Sequence, residues 1–326
     1  MLAEVTRRPP RVVCLTVAVL AGLSGCSAAP GGPVGSRSTA SASVGGLSAD
    51  AVDMVTRSGS WPAAQQTLDT ALNELTHTCM RRAGFVYPAT KAARPTSPDD
   101  AKALVDLPAR RRHGYGIASP PPSSGPPPAP YYTELDADRR RRFDLAFSGP
   151  PDARTEVGTG AGTVRVGRRG CDAESRARLA GDVVAWARMY YTPEALNGRL
   201  DAAVPRQSGY VAALARWRSC MTERGHRYPS PEAAREKLSA VYEKRDRRKS
   251  AQNLEFRALE RDVAADDGEC ALASRLPSSA IEARRKLVHS LPEKDRAAIT
   301  ELARIQAAAL KRAEAVLADK SRREAR

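Results

Sequence analysis

Apolar residues recur at helical spacing through most of the chain. Leu68, Leu72, Leu75 and Cys79 share a face of one segment, and Tyr210, Leu214, Trp217 and Met221 share a face of another. After Cys171 the period continues through Leu179, Val183, Trp186 and Tyr190. Leu259, Val263 and Ala264 lead into Cys270, with Leu272 and Leu276 beyond it. From Pro292 onward, Ile299, Leu302, Gln306, Leu310, Ala313 and Leu317 trace a narrow stripe on an otherwise charged helix, which suits packing on its own domain or pairing with a partner helix. Strand-like alternation is confined to GTVRV at 162–166. The pattern predicts a mainly α fold: a disulfide-stapled helical domain with Pro/Gly-rich loops and an amphipathic C-terminal helix.

Two of these helices end in the same phrase, TCMRRAGFVYP at 78–88 and SCMTERGHRYP at 219–229. Gly84 and Gly225, five residues past each cysteine, suit a left-handed cap. Tyr87-Pro88 and Tyr228-Pro229 then stop the helix and turn the chain back. Met80, Met221 and the two tyrosines are placed to cover the cysteine that each phrase carries. Ser97-Pro98 and Ser230-Pro231 each read as a helix start, with Ser as cap, Pro at the first helical position and acids in the first turn. A short helix over 135–147 is expected to be capped by Asp136. The apolar faces of the two phrases do not superpose position for position.

The N-terminal segment changes the picture. Arg7, Arg8 and Arg11 precede an apolar run from Val12 to Leu23 that is too short to span a bilayer comfortably, and Leu23-Ser24-Gly25-Cys26 closes it. The quartet resembles a bacterial lipobox. In such signals the cysteine takes a diacylglyceryl thioether and acyl chains such as palmitate, so Cys26 is the expected lipid attachment site. Pro9 and Pro10 argue against a twin-arginine signal. Residues 27–48 are rich in Ser, Gly and Ala and read as a flexible tether with a reach of about 25 Å. The expected location is the extracytoplasmic face of the cell membrane, and the membrane contact is the lipid anchor.

Setting aside Cys14 and Cys26, four cysteines remain, and an even count outside the cell reads as two disulfides with three possible connectivities. The connectivity that treats both halves alike pairs Cys79 with Cys171 and Cys220 with Cys270. Closing loops of that size stabilises the fold by about 4–5 kcal/mol each in the chain-entropy model. Domains follow: signal peptide 1–25, tether 26–50, first helical disulfide repeat 51–200, second repeat 201–276, and an amphipathic helical extension 277–326.

A formal charge of +15 would raise nucleic-acid binding in a cytoplasmic protein. The export signal argues against nucleic acid and leaves membrane headgroups or wall polymers as anionic partners. The runs at 110–112, 139–142 and 245–249 are interleaved with acids and read as solvated helix faces. The proline block within 114–132 reads as an extended loop, and GTGAG at 158–162 lacks the lysine and strand-to-helix setting of a phosphate cradle. His77 precedes Cys79 by two residues and His226 follows Cys220 by six, so the histidines fall on opposite sides of their cysteines, which disfavours a zinc site. No nucleophile or metalloprotease motif occurs. Neither cofactor, metal nor catalytic residue is expected.

CMRRAGFVYP, GYGI, YYTELDADRRRRFDLAFSG, GC, WRSCMTERGHRYPSPEAA and LERDVAADDGEC, taken in order over about residues 60–275, resemble a recurring set of actinobacterial secreted proteins and lipoproteins with paired Cys-Met-x-x-x-Gly-x-x-Tyr motifs. The resemblance implies a helical surface lipoprotein and brings no activity or ligand with it. The expected function is a non-enzymatic binding or scaffolding module that engages an envelope protein or an anionic wall polymer. The alternative is an envelope enzyme acting on wall glycan or peptide, which would need facing carboxylates.

Overall fold

Ser48 is extended, and its hydroxyl accepts the Ala51 N–H at 3.2 Å to start the first helix. The computed structural model describes residues 46–89, 104–118, 130–160, 162–244 and 250–325, all within the unit Ser43–Arg326. Leu23, Ser24, Gly25 and Cys26 lie outside these residues, as do the helix start at Ser97-Pro98, most of the proline block and the run 245–249.

The helices are α1 (Ala49–Thr56), α2 (Trp61–Arg82), α3 (Leu107–His113), α4 (Pro130–Thr133), α5 (Ala137–Ser148), α6 (Cys171–Ala180), α7 (Val183–Asp201), α8 (Ser208–Glu223), α9 (Pro231–Glu243), α10 (Ser250–Ser274), α11 (Leu276–Val288) and α12 (Glu293–Glu324). Between α5 and α6 stands a hairpin of β1 (Arg154–Gly158) and β2 (Thr163–Gly167), antiparallel, with Val157 opposite Val164. The fold is mainly helical, stapled by Cys79–Cys171 and Cys220–Cys270, with the α-carbons of each pair 5.6 Å apart.

Local chemistry sets the helix ends. Asp136 accepts the Arg139 N–H at 2.8 Å, Asp182 the Ala185 N–H at 2.7 Å, and Ser230 the Ala233 N–H at 3.2 Å. The apolar spacing from Leu179 to Tyr190 is divided between two helices, because Gly181 (φ 100°) ends α6 and Asp182 caps α7. Leu179 and Trp186 are buried on either side of that break, while Tyr190 is left largely exposed. Leu259 is also exposed, whereas Val263 and Ala264 on the same helix are fully buried. The GTVRV alternation does form a strand, and its partner strand at 154–158 went unread in the sequence.

Two main cores result. One gathers Val55, Leu68, Leu179, Trp186, Leu196, Val288 and Ile299 from α1, α2, α6, α7, α11 and α12. The stripe on α12 belongs to it: Ile299, Leu302, Gln306 and Ala313 are buried, with Leu310 and Leu317 half-buried against the same cluster. The other core holds Trp217, Met221, Leu238, Phe256, Val263 and Cys270 from α8, α9 and α10, together with Val105 and Ala118 from the segment 104–118. The cores therefore interleave along the chain. A stretch lying between Cys79 and Cys171 packs with the second half, α12 packs with the first, and α11 bridges the two, with Leu276 in the second core and Val288 in the first.

Two buried acids lock the α3 segment down. Asp267, 1 % exposed, accepts from the Trp217 indole N–H and the Tyr115 hydroxyl, each at 2.9 Å, and from the Arg110 guanidinium. Glu260 accepts the backbone N–H groups of Ile117 and Ala118 at 2.7 and 3.1 Å. Burial, then the charge of Asp267, hold the Tyr115 hydroxyl far above its ordinary pKa, so it stays a donor. In the first core Asp53 plays the corresponding part, receiving the Ser60 N–H at 2.7 Å, the Ser60 hydroxyl at 3.0 Å and the Arg285 guanidinium.

Candidate functional site

The predicted motif residues end two helices in the same way. Met80 and Met221 are fully buried, and Gly84 and Gly225 take φ of 82° and 84°. The Phe85 N–H returns to the Met80 carbonyl at 2.9 Å, as the His226 N–H does to that of Met221 at 2.8 Å. Tyr87 stacks on Phe147 at 5.7 Å inside an aromatic cluster that covers Cys79–Cys171, and Tyr228 is half-buried against the core holding Cys220–Cys270. Pro88 is exposed, and the Pro229 carbonyl accepts the Arg218 Nε–H at 2.7 Å.

The two histidines do not join the cysteines. His77 Nδ1 donates to the Tyr87 carbonyl, and His226 Nε2 bonds the Asp266 carboxylate at 3.0 Å. Among the described residues no group of three or more His, Cys, Asp or Glu is placed to hold a metal. Of GTGAG, Gly158 ends β1, and the Thr159 N–H meets the Gly162 carbonyl at 2.7 Å where the two strands close. No described helix is long and apolar enough to cross a membrane.

The concave site that the sequence reading missed lies at the foot of this hairpin. Two glycines create it. Gly149 (φ 72°) ends α5 and Gly170 (φ 93°) begins α6, and a Cβ on either would collide with backbone of the other strand of chain: the Arg169 carbonyl for Gly149, the Gly149 amide for Gly170. This close approach fixes the loop carrying Arg168 and Arg169 above the first turn of α6. The Arg168 N–H on the Ala153 carbonyl, at 2.8 Å, ties the same loop to the base of β1.

The result is a cleft of about 170 Å³ between the hairpin, that loop and the first turns of α6 and α7. Arg154, Arg165, Arg169 and Arg176 line it, with Trp186 and Tyr191 as aromatic wall. Asp172 is the one carboxylate among its described lining residues. That acid is already engaged, because Arg176 Nε donates to its two oxygens at 2.9 and 2.8 Å. Arg176 also lies over the Trp186 ring, 5.6 Å from its centroid. Arg165 pairs with Glu156 across the hairpin at 3.2 Å, an exposed contact that leaves its guanidinium available. Arg154 and Arg169 have no carboxylate within salt-bridge distance among the described residues. Gly170 supplies no side-chain cap, so the positive end of α6 adds to the same field.

Chemically, this arrangement receives an anion. Guanidinium groups fork onto carboxylate or phosphate oxygens, and concave low-dielectric walls focus their field. The volume falls below the roughly 300–1,000 Å³ of a pocket that encloses a whole ligand, so the cleft suits one charged group of something larger. The sequence carries only a faint signal for it, five-residue alternations in RTEVG and TVRVG that place Val157 inward and Arg154 and Arg165 outward. No family model, curated protein or solved structure matches the chain.

Proposed function

We propose that the protein is a lipid-anchored, extracytoplasmic binding module, held to the membrane through Cys26, whose hairpin cleft captures an anionic component of the cell envelope. The observation that carries this reading is the cleft itself, four arginines against one aspartate that is already paired. The export signal and lipobox support the address, and two disulfides are the form expected of cysteines in an oxidising compartment. Resemblance to the actinobacterial lipoproteins agrees with it. The overall charge of +15 strengthens attraction of a polyanionic surface at long range.

A protein partner docked on the C-terminal stripe is disfavoured, because that stripe is already buried in the first core. An envelope hydrolase fits less well than a binder. The cleft offers a single carboxylate, and the oxygens of Glu260 and Asp267 are taken up by internal donors.

The test is sedimentation of the full chain with purified cell envelope across a salt series, comparing wild type with Arg154→Ala/Arg165→Ala. Co-sedimentation that falls as salt shortens the roughly 10 Å screening length at 0.1 M, and that is several-fold weaker in the variant, is expected. Equal binding by both proteins would refute the cleft as the site.

A further inference from the structure

We infer that the cleft is one end of a longer basic track, and that the track takes an extended phosphate-bearing polymer with a charge in each repeat unit. This rests on reading the cleft as an anion site, and deepens it by naming the class of ligand. The cleft shares Arg169 and Ala173 with a shallow depression beside Cys79–Cys171, which Arg168 also lines. That depression shares Ala146 with a third, lined by Arg139, Arg142 and the Ala83–Phe85 turn. Three concave stations thus adjoin through shared lining residues, each carrying at least two arginines.

The acids on this path are neutralised internally. Asp172 is held by Arg176, and Glu174 pairs with Arg82 at 3.2 Å. The four-arginine run on α5 is divided in the same sense. Arg140 donates to the Thr133 carbonyl at 2.8 Å and Arg141 pairs with Asp138, whereas Arg139 and Arg142, three residues apart and so on one face, line the third station. A lipid headgroup or a small anion would fill one station and leave the others idle. A polymer engages all of them, and linked contacts raise affinity by effective concentration. Several arginines converging on one concave site also suit a group whose oxygens point in different directions, as in phosphate, better than a planar carboxylate.

The probes are tripolyphosphate and long-chain polyphosphate, titrated against the full chain with both disulfides formed. The long chain is expected to bind at least about tenfold more tightly. Arg139→Ala/Arg142→Ala should weaken the long chain about tenfold while leaving tripolyphosphate within about twofold, and Arg154→Ala/Arg165→Ala should weaken both. Lys237→Ala/Arg257→Ala, on helices that line none of the stations, should change neither.

Equal affinity for the two probes would overturn the polymer and leave the cleft standing. An equal loss from the Lys237/Arg257 variant would overturn it too, by showing attraction to net charge alone. Tighter binding to phosphatidylglycerol vesicles than to long-chain polyphosphate, unaffected by the Arg139/Arg142 variant, would hand the site to a membrane headgroup. No binding of either phosphate probe at low salt would sink both the track and the cleft.

Discussion

The two Cys-Met phrases end their helices with the same cap and clip, yet they sit in different surroundings. Cys270 lies within α10, fully buried, next to a helix face whose acids are saturated by Trp217, Tyr115 and the α3 segment. Cys171 is instead the first residue of α6, and the depression outside it is lined by arginines. The motif therefore specifies a local device, a helix stop bolted to a second helix. What that device serves is decided by residues far away in sequence: sealing a core in one case, holding the wall of a basic groove in the other.

The comparison is sharpest when each bolt is removed. Cys220→Ala/Cys270→Ala and Cys79→Ala/Cys171→Ala should each cost about 4 kcal/mol in urea unfolding, since closing loops of 50 and 92 residues differs only logarithmically. The two should part in binding. Loss of Cys79–Cys171 frees the start of α6 and should abolish polyphosphate binding, while loss of Cys220–Cys270 should leave it intact under native conditions. Binding lost equally in both variants would break the contrast.

The buried acids give the next largest effect. Asp267→Asn leaves Arg110 without its counter-charge inside the second core and should cost about 3 kcal/mol, with a shift in Trp217 fluorescence. Asp53 tests the first core by pH. Burial raises its pKa, but the Ser60 N–H, the Arg285 guanidinium and the Ser60 hydroxyl together outweigh burial and hold it below the ordinary carboxylate value. A depressed folded-state pKa means the stabilisation is present above the unfolded value near 3.8 and is lost as pH falls through the folded one. Acid unfolding should therefore begin below about pH 4 at this latch, and Asp53→Asn should flatten that limb of the stability profile. The smallest effect is Glu156→Gln on the exposed hairpin pair, at most about 1 kcal/mol of stability, with slightly tighter anion binding as Arg165 is freed.

What could be read from the sequence follows the same division. Caps at Asp136 and Ser230, left-handed glycines at 84 and 225, both disulfides and the α12 stripe were legible, because each is written in a local cap, in a repeated phrase followed by a single further cysteine, or in one helical period. The basic track was not. Arg154 and Arg165 stand in strands of five residues, too short for a strong period, and meet Arg169 and Arg176 only through the Gly149–Gly170 approach. The runs at 139–142 and 110–112 looked like solvated helix faces, and periodicity could not say that Arg139 and Arg142 flank a groove or that Arg110 reaches Asp267. Nor could it tell what the α12 stripe would cover. A stripe records that a face wants burial, not which face will bury it.

The packing of α12 on α1 and α2 also sets an order of events in time. Crossing the membrane N-terminus first, as the proposed address requires, the chain has delivered every residue of the core around Trp217 by residue 276, and that half can close. The half made first must wait. Val55 and Leu68 stay exposed until Ile299 and Ala313 arrive, so the earliest helices are the last to finish folding, and whatever escorts the young chain has those helices to shield.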